Sequence, residues 1–329
     1  MNIQYFFRHP SVGFSIHRVF NTIIEEIKKN NKVSIFEVKT VGSMPWDIIK
    51  NIAYTIQRRK SKTIHHVTGH IHDIMLGLIG VKSILTIHDL VFLDNVNNPI
   101  KRFYKWLFWL YLPIKIADVV VCISDQTKKN ILQHIKTNKL KVIPNPVDPK
   151  FIYNKKEFNK EKPIILHIGT GWNKNLETTI KALEDISCHL RIIGRVRPNQ
   201  EILLKTHNIE YSSQQNLTDN EIIEEYVKCD IVNFPSFYEG FGMPIIEGQQ
   251  TGRIVITSRI QPLLEVANQA AAFVNPEDVS SLKETYLKII EEEEYRNNLI
   301  ELGLKNAQRF TVREITKQYE ELYKKLLKK

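Results

Sequence analysis

Short β-branched runs alternate along this chain with longer stretches whose apolar residues recur every three or four positions. In the first half, KVSIFEVK, TIHHVTG, SILTIHDL, VVVCIS and KVIPNP read as strands, with helices between them. The second half restarts the rhythm with PIILHIG, LRIIGR, IVNFPS and RIVITS, separated by LETTIKALEDI, NEIIEEYVKC and the segment after Pro244. Strands that are apolar on both faces suit a parallel sheet covered by helices on each side. The pattern predicts an α/β protein with two doubly wound sheets. Between Pro144 and Pro163 the segment PNPVDPKFIYNKKEFNKEKP has four prolines and little periodicity, so the join is expected at about Pro149. The last stretch, VREITKQYEELYKKLLKK, places Val312, Ile315, Tyr319, Leu322 and Leu326 on one helical face that should pack on something.

Composition narrows the class. With 43% hydrophobic and 25% charged residues, the 329-residue chain reads as a globular protein of two ordinary domains rather than a disordered or fibrous one. Cys122, Cys188 and Cys229 lie far apart and lack paired CxxC spacing, which favours a reducing cytosol over a disulfide framework. No run of about 18 uncharged apolar residues occurs, and MNIQYFFRHP lacks the long apolar stretch of a leader, so neither a span nor secretion by that route is expected. The net charge of +10 is uneven. Residues 1–150 carry 22 Lys and Arg against 10 Asp and Glu, whereas the remainder carries 24 against 26. A basic first half attracts nucleic acid, an anionic membrane face or a phosphorylated substrate, or simply solvates its helices.

Ligands of open parallel sheets bind beyond the carboxyl ends of the strands, so the loops after the apolar runs are where chemistry belongs. After PIILHI come Gly169-Thr170-Gly171-Trp172-Asn173-Lys174-Asn175 and then a helix. A glycine turn into a helix start holds phosphate with backbone N–H groups, and Lys174 adds a point charge. The third glycine of a dinucleotide fingerprint and the GKS or GKT of a Walker loop are both missing. After IVNFPS, Gly240 and Gly242 allow close backbone approach, and Pro244 suits a first helical turn. Glu239 in that loop and Glu247 one turn into the helix form a carboxylate pair suited to accepting sugar hydroxyls.

The segment PSFYEGFGMPIIEGQQTGRIVITSRIQPLLEVANQAAAFVNPED closely resembles the donor-binding region of glycosyltransferase family 4, the group 1 nucleotide-sugar enzymes, with two glutamates separated by seven residues. SILTIHDL, ADVVVCISDQTKKNIL, KLKVIPNPVD, LHIGTGWNKNLETTIKAL, LRIIGR and QRFTVREITKQYEELYKKL follow the family's order along nearly the whole chain. The resemblance implies a GT-B fold: two Rossmann-like domains facing an interdomain cleft. Residues 1–149 would be the acceptor-side domain, 150–311 the donor-binding domain, and helix 312–329 would cross back onto the first. It further implies a retaining hexosyltransferase that needs no metal or other cofactor, the donor phosphate oxygen taking the acceptor proton. The sugar would pass from a nucleotide sugar to a glycan or lipid-linked acceptor in bacterial surface polysaccharide or lipopolysaccharide synthesis. The enzyme would be cytoplasmic or peripheral on the inner face of the plasma membrane.

Residue by residue, the resemblance implies that Glu239 contacts donor-sugar hydroxyls, Glu247 the ribose and Lys174 the diphosphate. The backbone of Phe241, Gly242 and Met243 would lie against donor sugar and phosphate. Gly13, in HPSVGFS, would belong to the loop that closes over the diphosphate, and His88 would face the reacting sugar. Thr170 follows Gly169 where many members have Arg, so neutralisation falls more on Lys174, with Arg195 as a substitute. Asn145-Pro146 replaces the usual Asn-Gly after the fifth strand, which implies a stiffer hinge. A metal site is not expected, because no Cys or carboxylate completes a four-ligand set with His65, His66, His70 and His72 and no DxD triplet occurs. The aromatic stretch Lys101–Leu112, flanked by cations, suits both a helix on the first sheet and contact with anionic lipid. Two other readings stay open: epimerisation or hydrolysis of a nucleotide sugar on the same fold, and a basic nucleic-acid-binding module, although no nucleic-acid motif accompanies the charge.

Overall fold

The computed structural model describes residues 1–12, 14–42 and 44–328. Each apolar rhythm folds into a six-stranded sheet in which every neighbouring pair is parallel. The first contains β1 (Asn2–Phe7), β2 (Lys32–Glu37), β3 (Ile64–Val67), β4 (Ser83–Ile87), β5 (Val119–Cys122) and β6 (Leu140–Val142), in the order β2-β1-β3-β4-β5-β6. The second contains β7 (Ile164–Ile168), β8 (His189–Ile193), β9 (Tyr211–Gln214), β10 (Ile231–Phe234), β11 (Ile254–Ser258) and β12 (Ala272–Val274), in the order β12-β11-β10-β7-β8-β9. Strand order reverses between β1 and β3 in one sheet and between β7 and β10 in the other. These reversals are the topological switch points where such sheets bind ligands. The central strands β3, β4, β10 and β11 are buried along their whole length, as a parallel sheet covered on both faces requires, so that even their polar residues His65, His66, Thr86 and Asn233 are enclosed.

Contacts divide the chain into two compact units, Met1–Pro146 with Val312–Lys329, and Val147–Thr311. The break falls just before Val147, slightly ahead of the expected Pro149. Val147 N–H already donates to the Phe310 carbonyl at 2.8 Å, and Phe151 is buried edge-on against Tyr226.

In the first unit the closing helix, Val312–Lys328, buries Ile315, Tyr319, Leu322, Tyr323 and Leu326. A buried polar chain joins it to the sheet: the Tyr323 hydroxyl bonds to the Tyr5 hydroxyl at 2.8 Å and to His66 Nδ1 at 2.7 Å, and His66 Nε2 bonds to Thr86 Oγ1 at 2.8 Å. The aromatic stretch is the helix Pro99–Lys105, a π-helical stretch Trp106–Tyr111 and the helix Leu112–Ile116. Pro113 explains the irregularity, because it has no N–H for the Trp109 carbonyl four residues back. That carbonyl accepts instead from His72 Nδ1 at 2.8 Å. Among the described residues no helix is long and apolar enough to cross a membrane.

Candidate active site

In the second unit the loops after β7 and β10 flank the switch point and are joined by a network centred on Lys174. Gly169 has φ +91°, and a Cβ there would lie 2.8 Å from Lys174 Cγ, so only glycine lets the lysine side chain lie back over the loop. Lys174 Nζ lies 2.5 Å from Glu239 Oε1 and 4.9 Å from the centre of the Phe234 ring, with the two side chains 25% and 14% exposed. Asn173 Nδ2 donates to the Tyr238 carbonyl at 3.1 Å and to Glu239 Oε1 at 3.4 Å, and Phe237 N–H donates to the Asn173 carbonyl at 2.8 Å. Asn175, in the left-handed region at φ +60°, is buried and donates to the carbonyls of Pro235 and Pro276 at 3.0 and 2.7 Å. One amide thereby ties the loop after β7 to those after β10 and β12.

The carboxylate pair divides between loop and helix. Gly242, at φ +113°, begins the helix Met243–Thr251, and a Cβ on it would meet Leu263 Cδ2 at 2.8 Å. Phe241 is buried edge-on against Phe310, and Met243 is half-buried. Glu247 lies one turn into this helix and is 3% exposed, accepting from the Tyr226 hydroxyl at 2.6 Å. Beneath the switch point, Asn233 bonds to His167, Thr179 and Tyr286 at 2.7–3.0 Å. Burial first, and the Lys174 charge second, hold His167 neutral with its pKa lowered to about 3.

Thr170 stitches the loop after β7 to the loop after β8. Its hydroxyl donates to the Arg195 carbonyl at 2.7 Å, and its own carbonyl accepts from Arg197 Nη2 at 2.6 Å and Gln200 Nε2 at 3.1 Å. Arg195 is exposed. The guanidinium that reaches this turn is that of Arg197, which also pairs with Glu177 at 3.3 Å.

In the first unit His88 directly follows β4, buried, with its Nε2–H donating to the Thr68 carbonyl at 2.8 Å. That bond fixes the tautomer and leaves the lone pair on Nδ1. Desolvation, then the neighbouring His70, lowers its pKa to about 4, so the ring is neutral at pH 7. Gly69, at φ +129°, makes the room: a Cβ there would lie 2.5 Å from His88 Cδ2. His70 stacks on His88 with 5.9 Å between ring centres and lies 3.6 Å from Asp89. Gly13 lies outside the described residues.

The four-histidine cluster is taken up by protein groups. His65 bonds to the Lys82 carbonyl and the Lys60 N–H, His66 to Tyr323 and Thr86, and His72 to the Trp109 carbonyl. Among the described residues no group of three or more His, Cys, Asp or Glu is placed to hold a metal ion.

The structure thus brings Gly169, Thr170, Lys174, Glu239, Phe241, Gly242 and Met243 into two adjoining loops, with Glu247 behind them. Reading the sequence missed Asn173, Asn175, Arg197 and Gly69. Only Asn175 carried a signal, since Asn at a turn into a helix tolerates the left-handed region.

Two six-stranded, doubly wound parallel sheets, each in its own unit, are the architecture of the GT-B fold. Residues 30–151 match the model of Glycosyltransferase Family 4, and residues 148–306 match that of Glycosyl transferases group 1. The chain belongs to this family, as a group 1 glycosyltransferase of family 4 type. It is 29% identical over 271 residues to an uncharacterized glycosyltransferase of Methanocaldococcus jannaschii, covering 77% of this chain and 72% of that protein. It is 28% identical over 207 residues to the O-antigen chain mannosyltransferase RfbU of Salmonella typhimurium, covering 60% and 58%. The fold matches that of Anabaena HepE, solved in complex with UDP and glucose, with a TM-score of 0.80 at 13% identity over 99% and 100% of the two chains.

Proposed function

We propose that this enzyme transfers a sugar from a nucleotide-sugar donor, with retention of anomeric configuration and without a metal, to a glycan or lipid-linked acceptor of bacterial surface polysaccharide. The observation that carries the reading is the Lys174–Glu239 pair, held at the β7/β10 switch point by Asn173, Phe234 and Gly169. A cation fixed there stabilises the charge that grows on a departing diphosphate, and preorganised charge of this kind often dominates catalysis. Glu239 accepts donor-sugar hydroxyls, Glu247 the ribose, and the backbone of Phe241, Gly242 and Met243 lies against sugar and phosphate. The acceptor oxygen bonds to the anomeric carbon as the bond to phosphate breaks, and the acceptor proton passes to a donor phosphate oxygen. His88, neutral with its lone pair on Nδ1, accepts from a hydroxyl of the reacting sugar.

Relatives named for O-antigen mannosyl transfer and a structural neighbour solved with UDP and glucose support this substrate class. Peripheral contact of the first unit with an anionic membrane is supported by Ile100 and Phe103, 78% and 61% exposed beside Lys101, Arg102 and Lys105. The test is incubation with nucleotide sugars and candidate acceptors, with the product's anomeric configuration read by NMR in the presence of a chelator. A retained α linkage from an α-linked donor, formed at an undiminished rate, is expected. Donor consumption that never needs an acceptor favours epimerisation or hydrolysis instead.

A further inference from the structure

Beside the Lys174–Glu239 loops, within the second unit, lies a groove of about 700 Å³. Its walls come from Trp172 after β7, Phe237 after β10, Arg259 and Ile260 after β11, and Asn275 with Glu277 after β12. The volume falls in the range of small-molecule clefts. Folding alone does not account for its aromatic lining: Trp172 is 66% exposed and keeps most of the area that burial would have used, and Phe237, 36% exposed, keeps about a third. The rims are nonetheless fixed in advance, through the bond from Phe237 N–H to the Asn173 carbonyl and those from Asn175 to Pro235 and Pro276. Preorganised rings lose little freedom when a ligand arrives.

Of the polar side chains opposite, Arg259 lies over the Phe273 ring, with 5.7 Å to its centre. Among the described residues neither Arg259 nor Glu277 has an ion-pair partner. Asn275 Oδ1 takes the Glu277 N–H at 3.2 Å, which leaves the Asn275 NH₂ to donate elsewhere.

Exposed rings facing planar Arg, Asn and Glu groups match one chemistry closely. A pyranose offers an apolar face of C–H groups to stack on an aromatic ring, and an equatorial belt of hydroxyls that both donate and accept. We propose that this groove is a glycan subsite that holds sugar residues of the acceptor chain beyond the unit that reacts. The proposal rests on the reading of the adjoining loops as the donor site, because it is that adjacency which makes an oligosaccharide the occupant.

The test uses the full chain and a panel of tetrasaccharides of mannose, glucose, galactose and N-acetylglucosamine, with the monosaccharides as controls, followed by ligand-observed NMR and tryptophan fluorescence. At least one tetrasaccharide should bind more tightly than its monosaccharide. Trp172→Ala and Arg259→Ala should each weaken it by about tenfold, while Trp172→Phe keeps most of the affinity. Stabilisation by nucleotides, measured on the same samples, should stay unchanged in all three variants. Unaltered tetrasaccharide affinity in Trp172→Ala overturns the proposal, as does a wild-type protein that binds none of the panel. Loss of the nucleotide response in Trp172→Ala, with glycan binding intact, assigns the ring to the donor and also overturns it. A wild-type protein that answers to glycans but to no nucleotide sugar refutes the donor reading alone.

Discussion

Removing one amine, in Lys174→Ala, should lower turnover at saturating donor by roughly 10² to 10³, the scale of losing one preorganised donor to a developing oxyanion. The environment of the residue gives a consistent figure. Its side chain is 25% exposed and that of Glu239 14%, so the pair sits between surface and interior. At an effective dielectric constant of about 20, two unit charges about 4 Å apart interact by about 4 kcal/mol, enough to supply the roughly 2.7–4 kcal/mol that such a rate loss represents. The variant should still fold, because Gly169 and Asn175 set the loop through the backbone and through bonds that do not involve the amine. Lys174→Arg should recover part of the rate by keeping the charge. The assay is the initial rate of nucleotide release at donor concentrations well above KM, beside a melting curve for each variant. A kcat within about twofold of wild type, from a normally folded sample, refutes the role given to Lys174.

Glu247→Gln should mainly raise donor KM while its amide oxygen still accepts from Tyr226, whereas Glu239→Gln should lower kcat; the opposite split would exchange their roles. Gly69→Ala, whose Cβ would press within 2.5 Å of His88, should lower kcat in the same direction as His88→Ala with little change in donor KM, and unchanged kcat in both removes His88 from the reaction. Burial lowers His66 and His72 to about 3 and His88 to about 4 in the first unit, and His167 to about 3 in the second. Because the unfolded chain binds these protons first, stability is fully present above pH 6.5 and falls by about 1.4 kcal/mol per pH unit per group as pH drops toward those values. Asp73, raised to about 6 by burial, acts in the opposite sense and offsets part of the loss. Urea melts at pH 7 and pH 5 should show the first unit weakening more than the second, and equal losses contradict the assignment. Vesicles rich in anionic lipid should retain the wild type and release an Ile100→Ser, Phe103→Ser double variant; equal retention by both removes those side chains from any membrane contact.

The strands that the sequence showed most clearly are those whose apolar runs are buried on both faces, such as β4, β7, β10 and β11. Three strands escaped it. β9, YSSQ, is a half-polar edge strand, and β12 has only three residues, so neither makes a recognisable run. β1, NIQYFF, has Asn2 and Gln4 among its first three residues, which leaves too short an apolar run to stand out. Within the site, Gly169, Lys174, Glu239, Gly242 and Glu247 were legible because glycines, proline and carboxylates coincide in two short loops. Arg197, Asn173 and Gly69 were not. Arg197 acts on Thr170 from 27 residues away, and Gly69 matters only because His88, from the next strand, lies over it. Such contacts depend on strand order, which local periodicity does not encode.

The central claim is that the loops after β7 and β10 bind a nucleotide sugar, and a thermal-shift panel of UDP, GDP, ADP, CMP and their common sugars tests it most directly. Ligand at 100 times Kd adds about 2.7 kcal/mol of stability, which is readily seen as a rise in melting temperature. One nucleotide and its sugar should stabilise the wild type, with a markedly smaller shift in Glu247→Gln and Lys174→Ala. A cooperatively folding wild type that responds to none of the panel, or a response that both variants leave intact, contradicts the account.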